Sequence, residues 1–209
     1  MIITVFGATG QVGKEIVQQA LYAGHTVRAF GRNVFSTNWK EEKNLIRVQG
    51  ALFDTGQVSD AVSGVNLVLS AIGGSFDGTD KARSHGLHIV IEAMTKQSVQ
   101  RIVALGGKGV LDDGEGRYLM DDANFPPEYL PVSNEHRKAY EYLCTSRLEW
   151  TFVCSPDIIP APATGIFYTA AETVPVPDHS KINAGDLALF MLKEGQENQF
   201  LRQRVGISN

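Results

Sequence analysis

The sequence predicts a doubly wound α/β fold, a mostly parallel sheet covered by helices on both faces. Three observations carry this expectation. Strand-like and helix-like segments alternate through the first two thirds of the chain, the pattern that produces parallel sheets. The opening segment, Met1-Ile2-Ile3-Thr4-Val5-Phe6-Gly7-Ala8-Thr9-Gly10-Gln11-Val12-Gly13, runs from an apolar strand through a glycine turn into a helix. A second strand-like run, Thr26-Val27-Arg28-Ala29-Phe30, then closes a β-α-β unit within roughly thirty residues, the spacing of a dinucleotide-binding unit.

Each element follows from local pattern. Val12, Ile16, Val17, Ala20 and Leu21 recur at helical spacing after the turn. Residues 45–48 read as a third strand, 58–62 as a short helix and 65–71 as a fourth strand. Leu87, Val90, Ile91 and Met94 mark a long amphipathic helix, and residues 101–105 a fifth strand. The polar stretch 112–116 reads as a loop; His136, Tyr140 and Leu143 share a face of the next helix, and residues 150–154 form a sixth strand. Prolines at 160, 162, 175 and 177 then interrupt regular structure before a helix over 183–192, with Asn183 as its N-cap. The expected architecture is a Rossmann-type, three-layer α/β/α domain over residues 1–209. Residues 156–209 form a small substrate-side extension over the strand ends.

The glycine turn assigns the ligand class. Gly7 permits the tight turn out of the strand, Gly10 lets backbone approach a pyrophosphate, and Gly13 lets the helix pack close to the sheet. Thr9, Gln11 and Val12 complete the turn, whose unpaired N–H groups and positive helix end suit phosphate. A carboxylate after the second strand would favour NAD, whereas a cation there favours NADP. This chain has Arg32-Asn33, and no acidic residue follows until Glu41. NADP is therefore expected, with NAD the alternative. Leu52, the run Ala71-Ile72-Gly73 and Ser155 lie at later strand ends and complete the cofactor set.

Composition narrows the partners. A chain of 209 residues supports one substantial core. With 20% charged residues and a net charge of −4, there is no basic stripe for nucleic acid. No apolar run is long enough to span a bilayer. Cys144 and Cys154 show neither metal-ligand spacing nor a disulfide framework. His85 and His88 have no carboxylate in register, so no metal site is expected. The strand begins at the first residues, so no leader is expected, and a reducing cytoplasm is the expected compartment. A monomer or weak homo-oligomer acting on a small-molecule acceptor is expected.

Gly-Ala-Thr-Gly-x-x-Gly at the start resembles the atypical short-chain dehydrogenases, including NAD(P)H-binding, NmrA-like and biliverdin-IXβ/flavin reductase proteins. Ser146-Arg147-Leu148-Glu149-Trp150-Thr151-Phe152-Val153-Cys154-Ser155-Pro156 resembles that family's S-G-L-D-W-T-I-V-R-P segment. Val132-Ser133-Asn134-Glu135-His136 resembles V-T-D-D-H of the biliverdin/flavin reductase branch.

The chain also departs from that pattern. The family's adenine-binding Asp after the third strand is replaced in Gly50-Ala51, leaving Leu52 backbone or nearby Asp54. No Tyr-x-x-x-Lys is present. Gly106-Gly107 stands where the family often has Ser or Thr, and Asp157 where flavin reductases carry histidine. The catalytic candidates that remain are His136, Asp157 and Lys108. Tyr118 and Tyr129 are placed to cover a flat ring. A site without a dedicated acid suits hydride transfer to a flavin or quinone. The alternative is an NmrA-like NADP-binding redox sensor without turnover. An epimerase-like activity is disfavoured by the missing Tyr-x-x-x-Lys.

Overall fold

Apolar runs buried on both faces build the strands of one sheet. The computed structural model describes residues 1–209. Strands β1 (Ile2–Phe6), β2 (Thr26–Gly31), β3 (Leu45–Gln49), β4 (Leu67–Ser70), β5 (Arg101–Gly107) and β6 (Glu149–Ser155) are all paired in parallel. Helices α1 (Gln11–Tyr22), α2 (Thr55–Val62), α3 (Leu87–Lys96), α4 (Leu130–Thr145) and α5 (Ala184–Glu197) cover the sheet. The shorter strands β7 (Asp157–Ile159), β8 (Tyr168–Ala171) and β9 (Lys181–Asn183) precede α5, and β10 (Gln203–Ser208) ends the chain.

The main sheet runs β3-β2-β1-β4-β5-β6-β10-β8. The order reverses between β1 and β4, the switch point at which such sheets open a crevice at their carboxyl ends. Along β1, side chains alternate between two cores. Ile3 and Val5 pack with Ile16 and Val17 of α1 and Leu187 and Met191 of α5. Phe6 packs with Val58 of α2, Val90 and Met94 of α3, and Leu143 of α4. The sheet is thus the middle of three layers, with α1 and α5 on one face and the other three helices opposite. No helix is long and apolar enough to cross a membrane.

Several boundaries differ from expectation for identifiable reasons. Helix α2 begins at Thr55 because the Asp54 carboxylate accepts a hydrogen bond from Gln57 N at 3.0 Å. That cap engages one oxygen of Asp54, and the residue does not line the cleft. Asn183 does hold the N-cap position of α5, but its side chain makes no capping bond. It donates instead to Asp186 Oδ2 at 3.0 Å. Helix α5 also runs on to Glu197 before Asn198 turns left-handed, with φ 56°.

The C-terminal part divides in two. Helix α5 packs beside α1, where Gln19 Nε2 donates to Gly185 O at 2.9 Å. Strand β10 extends the sheet in parallel with β6. Only the stretch between β6 and α5 flanks the strand ends, with β7 and β9 paired there as a small separate ladder. The expectation that all of 156–209 lies over the substrate is corrected accordingly. β10 escaped the sequence reading because only Val205 and Ile207 are apolar in it, too short an alternation to mark a strand without its partner β6.

Candidate functional site

The three glycines of the first turn do different work. Gly7 has φ +73°, and a Cβ there would lie 2.2 Å from Ala71 O across the switch point. A Cβ on Gly13 would lie 2.1 Å from Gly7 O, so this residue seats α1 against the turn. Gly10 differs: its nearest obstacle is Gly7 O at 3.2 Å, and its outer side faces the cleft. The α1 terminus has no acidic residue in its first turn and no side-chain cap. Only Gly10 N is bonded across the turn, to Gly7 O at 3.0 Å, leaving the next N–H groups unpaired. A phosphate fits such a terminus on both hydrogen bonding and dipole.

From this turn a cleft of about 1380 Å³ runs along the carboxyl ends of β1, β2, β4, β5 and β6. It reaches the predicted cofactor residues Gly7, Thr9, Gly10, Gln11, Val12, Arg32, Leu52, Ala71, Ile72, Gly73 and Ser155. It does not reach Gly13, which acts through packing, or Asn33, which is exposed at the start of a short 3-10 turn. Asn33 is thereby set apart from the expected cofactor set.

Beside Arg32 lies a shallow side pocket with Gln49, Gly50, Ala51 and Gln57. It holds amides and one guanidinium but no carboxylate. The polar side chains there are held by backbone, with Gln49 Nε2 donating to Arg32 O at 3.1 Å and Gln57 Oε1 accepting from Ala51 N at 2.8 Å. The Arg32 side chain is exposed and pairs with no acidic residue. The pocket thus offers a guanidinium with no competing carboxylate beside it.

At the far end of the cleft, Gly107 of β5 sits in register beside Ser155 of β6. His136 of α4 crosses their tips. A Cβ on Gly107 would lie 2.7 Å from His136 Cδ2 and 3.2 Å from Nε2. The imidazole therefore occupies the space that a side chain at 107 would take. Burial, reinforced by the nearby Arg83 charge, pushes the His136 pKa down to about 3. The ring is neutral throughout the physiological range.

That shift has a consequence for stability. The folded value of about 3 lies below the ordinary 6.5, so on acidification the unfolded chain takes up the proton first. The contribution is whole above the ordinary value and is lost as pH falls toward the folded one. Over that window the protein loses about 1.4 kcal/mol per pH unit from this group. Urea denaturation of wild type and His136→Leu at stepped pH should show a steeper loss in wild type; the slope that remains in the variant comes from His25 and from carboxylates such as Glu135 and Asp186, whose pKa values are also held low. Equal slopes would contradict a neutral, buried imidazole.

The other catalytic candidates have partners of their own. Lys108 lines the cleft, but its ammonium pairs with Asp178 and donates to Ser180 Oγ at 3.1 Å. Its charge is thus balanced within the protein, and it straps the 178–180 segment to the end of β5. Asp157 is exposed at the start of β7, and its Oδ1 faces the Tyr129 hydroxyl at 3.4 Å. The Asp157 charge, followed by desolvation, raises the Tyr129 pKa. Tyr118, expected over the ligand, instead packs edge-on against Tyr140 at 6.3 Å and beneath Arg204. His85 and His88 belong to an aromatic run between Phe53 and Tyr142, and His88 Nε2 lies 3.4 Å from Glu92 Oε1 one turn on, a carboxylate in register that the sequence reading overlooked.

The structure adds residues the sequence did not single out. Arg83, buried in a π-helical turn before α3, donates to Ser75 O at 2.8 Å and Gly74 O at 2.9 Å. It fixes the loop after β4, and Phe76 lies over it at 5.4 Å. Glu135 is buried beside His136 and bonds Ser84 and Lys81, the latter at 3.0 Å. Burial opposes its ionisation, but the bonds from Ser84 and Lys81 outweigh this and hold its pKa low. Together they lock α4, and hence His136, to the loop after β4. An arginine near a helix start and a glutamate within one carry no distinctive spacing, so no sequence signal marked them.

Comparison with known proteins agrees with this geometry. The NAD(P)H-binding family model matches residues 7–197, and the chain belongs to that family. YwnB of Bacillus subtilis is 27% identical over 215 residues, covering 99% of this chain and 98% of its own. The crystal structure of a candidate exported protein from Burkholderia pseudomallei is 32% identical, with a TM-score of 0.85 and 100% of both chains covered. That of a candidate NADH-flavin reductase from Streptococcus pneumoniae is 26% identical, with a TM-score of 0.84, covering 100% of this chain and 99% of that one.

Proposed function

We propose that this NAD(P)H-binding protein is an NADPH-dependent oxidoreductase that reduces a flavin, a quinone or a similar small planar acceptor. The observation that carries the reading is the extension of the cleft past the phosphate turn. Beyond it the lining includes the aromatic rings of Phe76, Phe125 and Tyr129, together with His136 and the polar side chains of Lys108, Asn124 and Asp157. Aromatic side chains grouped in a cleft that also carries orienting polar groups suit a flat conjugated ring. The likeness to a candidate NADH-flavin reductase supports the same class of acceptor.

The unpaired N–H groups of the first turn would hold the pyrophosphate, and Arg32 a 2′-phosphate. Bound there, the reduced dinucleotide supplies a hydride. The chain's own task is to align the acceptor and exclude water, which accounts for a site without a Tyr-x-x-x-Lys pair. A steady-state screen of NADPH oxidation with flavins, quinones and aldehydes tests this. Flavins or quinones should accelerate oxidation well above the protein-free rate, and aldehydes should not. Preference for aldehydes would contradict the planar-acceptor assignment. Binding of NADPH with no acceptor-dependent oxidation would favour a redox sensor.

A further inference from the structure

We propose that His136 is an uncharged hydrogen-bond donor, presenting Nε2–H to the acceptor atom on which negative charge develops. This deepens the oxidoreductase reading and rests on it. Three observations converge. The ring is buried yet lines the cleft. Its Nδ1 is enclosed by protein and has no hydrogen-bond partner. Its Cδ2–Nε2 edge fills the position of a side chain at Gly107, at the carboxyl end of β5.

The tautomer follows from this enclosure. A neutral imidazole carries one proton on one of its two nitrogens. A buried N–H without an acceptor is rarer and more destabilising than an unmatched lone pair. The proton therefore belongs on Nε2, leaving Nδ1 as the unmatched acceptor. The charged groups that bear on the ring are Arg83, from the turn before α3, and Glu135, its neighbour on α4.

A neutral donor held in a fixed position stabilises charge as it forms and needs no reorganisation. The class of acceptor it fits has a carbonyl oxygen or imine nitrogen conjugated to the reduced position, as quinones and flavins do. In the step, a hydride leaves the reduced dinucleotide and bonds to the acceptor, which becomes an anion as the dinucleotide is oxidised. His136 keeps its proton throughout. The anion takes one proton from solvent on release, which balances the reaction.

Nitrogen-15 NMR of the ligand-free protein tests the tautomer without any turnover. The His136 signals should report Nε2–H and an unprotonated Nδ1, unchanged between about pH 5 and 8. A proton on Nδ1, or titration within that range, would overturn the proposal. In the second arm, His136→Leu should lower kcat with FMN by about 10²–10³-fold. NADPH affinity should stay within about threefold. His136→Gln, which keeps an N–H donor, should recover part of kcat. Loss of NADPH affinity in step with kcat would mean that the ring serves the cofactor, and would overturn the proposal. Turnover with the wrong tautomer rejects the His136 role alone. The Nε2–H tautomer without turnover for any acceptor rejects the oxidoreductase reading, and with it the donor's task.

Discussion

Arg32→Glu should weaken NADPH binding by about 100-fold, the equivalent of one or two charge-assisted hydrogen bonds. NADH affinity should hold or rise, because a carboxylate at this place accepts from a ribose 2′-hydroxyl. The asymmetry comes from the pocket. Arg32 shares it with Gln49 and Gln57 and no acidic group, so a phosphate there loses its only cation. The amides of Gln49 and Gln57 are neutral and cannot replace its charge. Calorimetric titration of both nucleotides with both proteins checks this. Equal weakening of NADPH and NADH would mean that Arg32 supports the adenine or the turn rather than the 2′-phosphate.

Glu194→Ala should destabilise the fold by about 3–5 kcal/mol, because it leaves a buried guanidinium without its counter-charge. Glu194 of α5 pairs with Arg101 Nη2 of β5 at 2.8 Å, and both side chains are buried. It also accepts from Thr151 Oγ1 at 2.9 Å, Phe200 N at 3.0 Å and Gln199 N at 3.1 Å. One carboxylate thus joins β5, β6, α5 and the turn into β10. The midpoint of thermal unfolding should fall by on the order of 10 °C. The exposed neighbour Glu197→Ala should change stability by no more than about 0.5 kcal/mol. A Glu194→Ala loss similar to that of the control would show the cluster to be energetically neutral.

The sheet and the phosphate turn were legible in the sequence because each rests on local pattern. The apolar runs 2–6, 26–30 and 101–105 need only their own residues to signal strands. Gly7, Gly10 and Gly13 encode backbone geometry in their spacing. The acceptor end was legible only in part. The absence of a side chain at 107 was visible, but not what fills its place, because His136 meets Gly107 only after α4 folds back onto β5. The same holds for Lys108, whose partner Asp178 lies 70 positions away in sequence. Arg83 and Glu135 act through tertiary bonds to Gly74, Ser75, Ser84 and Lys81. β10 was missed because its pairing with β6, not its composition, makes it a strand.

The most direct measurement of the proposed activity is an anaerobic single turnover. The protein is mixed with one equivalent of NADPH and excess FMN, and nicotinamide and flavin absorbance are followed together. Loss of NADPH and bleaching of an equal amount of FMN, faster with NADPH than with NADH, are the expected result. Unchanged absorbance from a protein shown to bind NADPH would contradict it, and would make this chain a holder of the dinucleotide rather than a user of it.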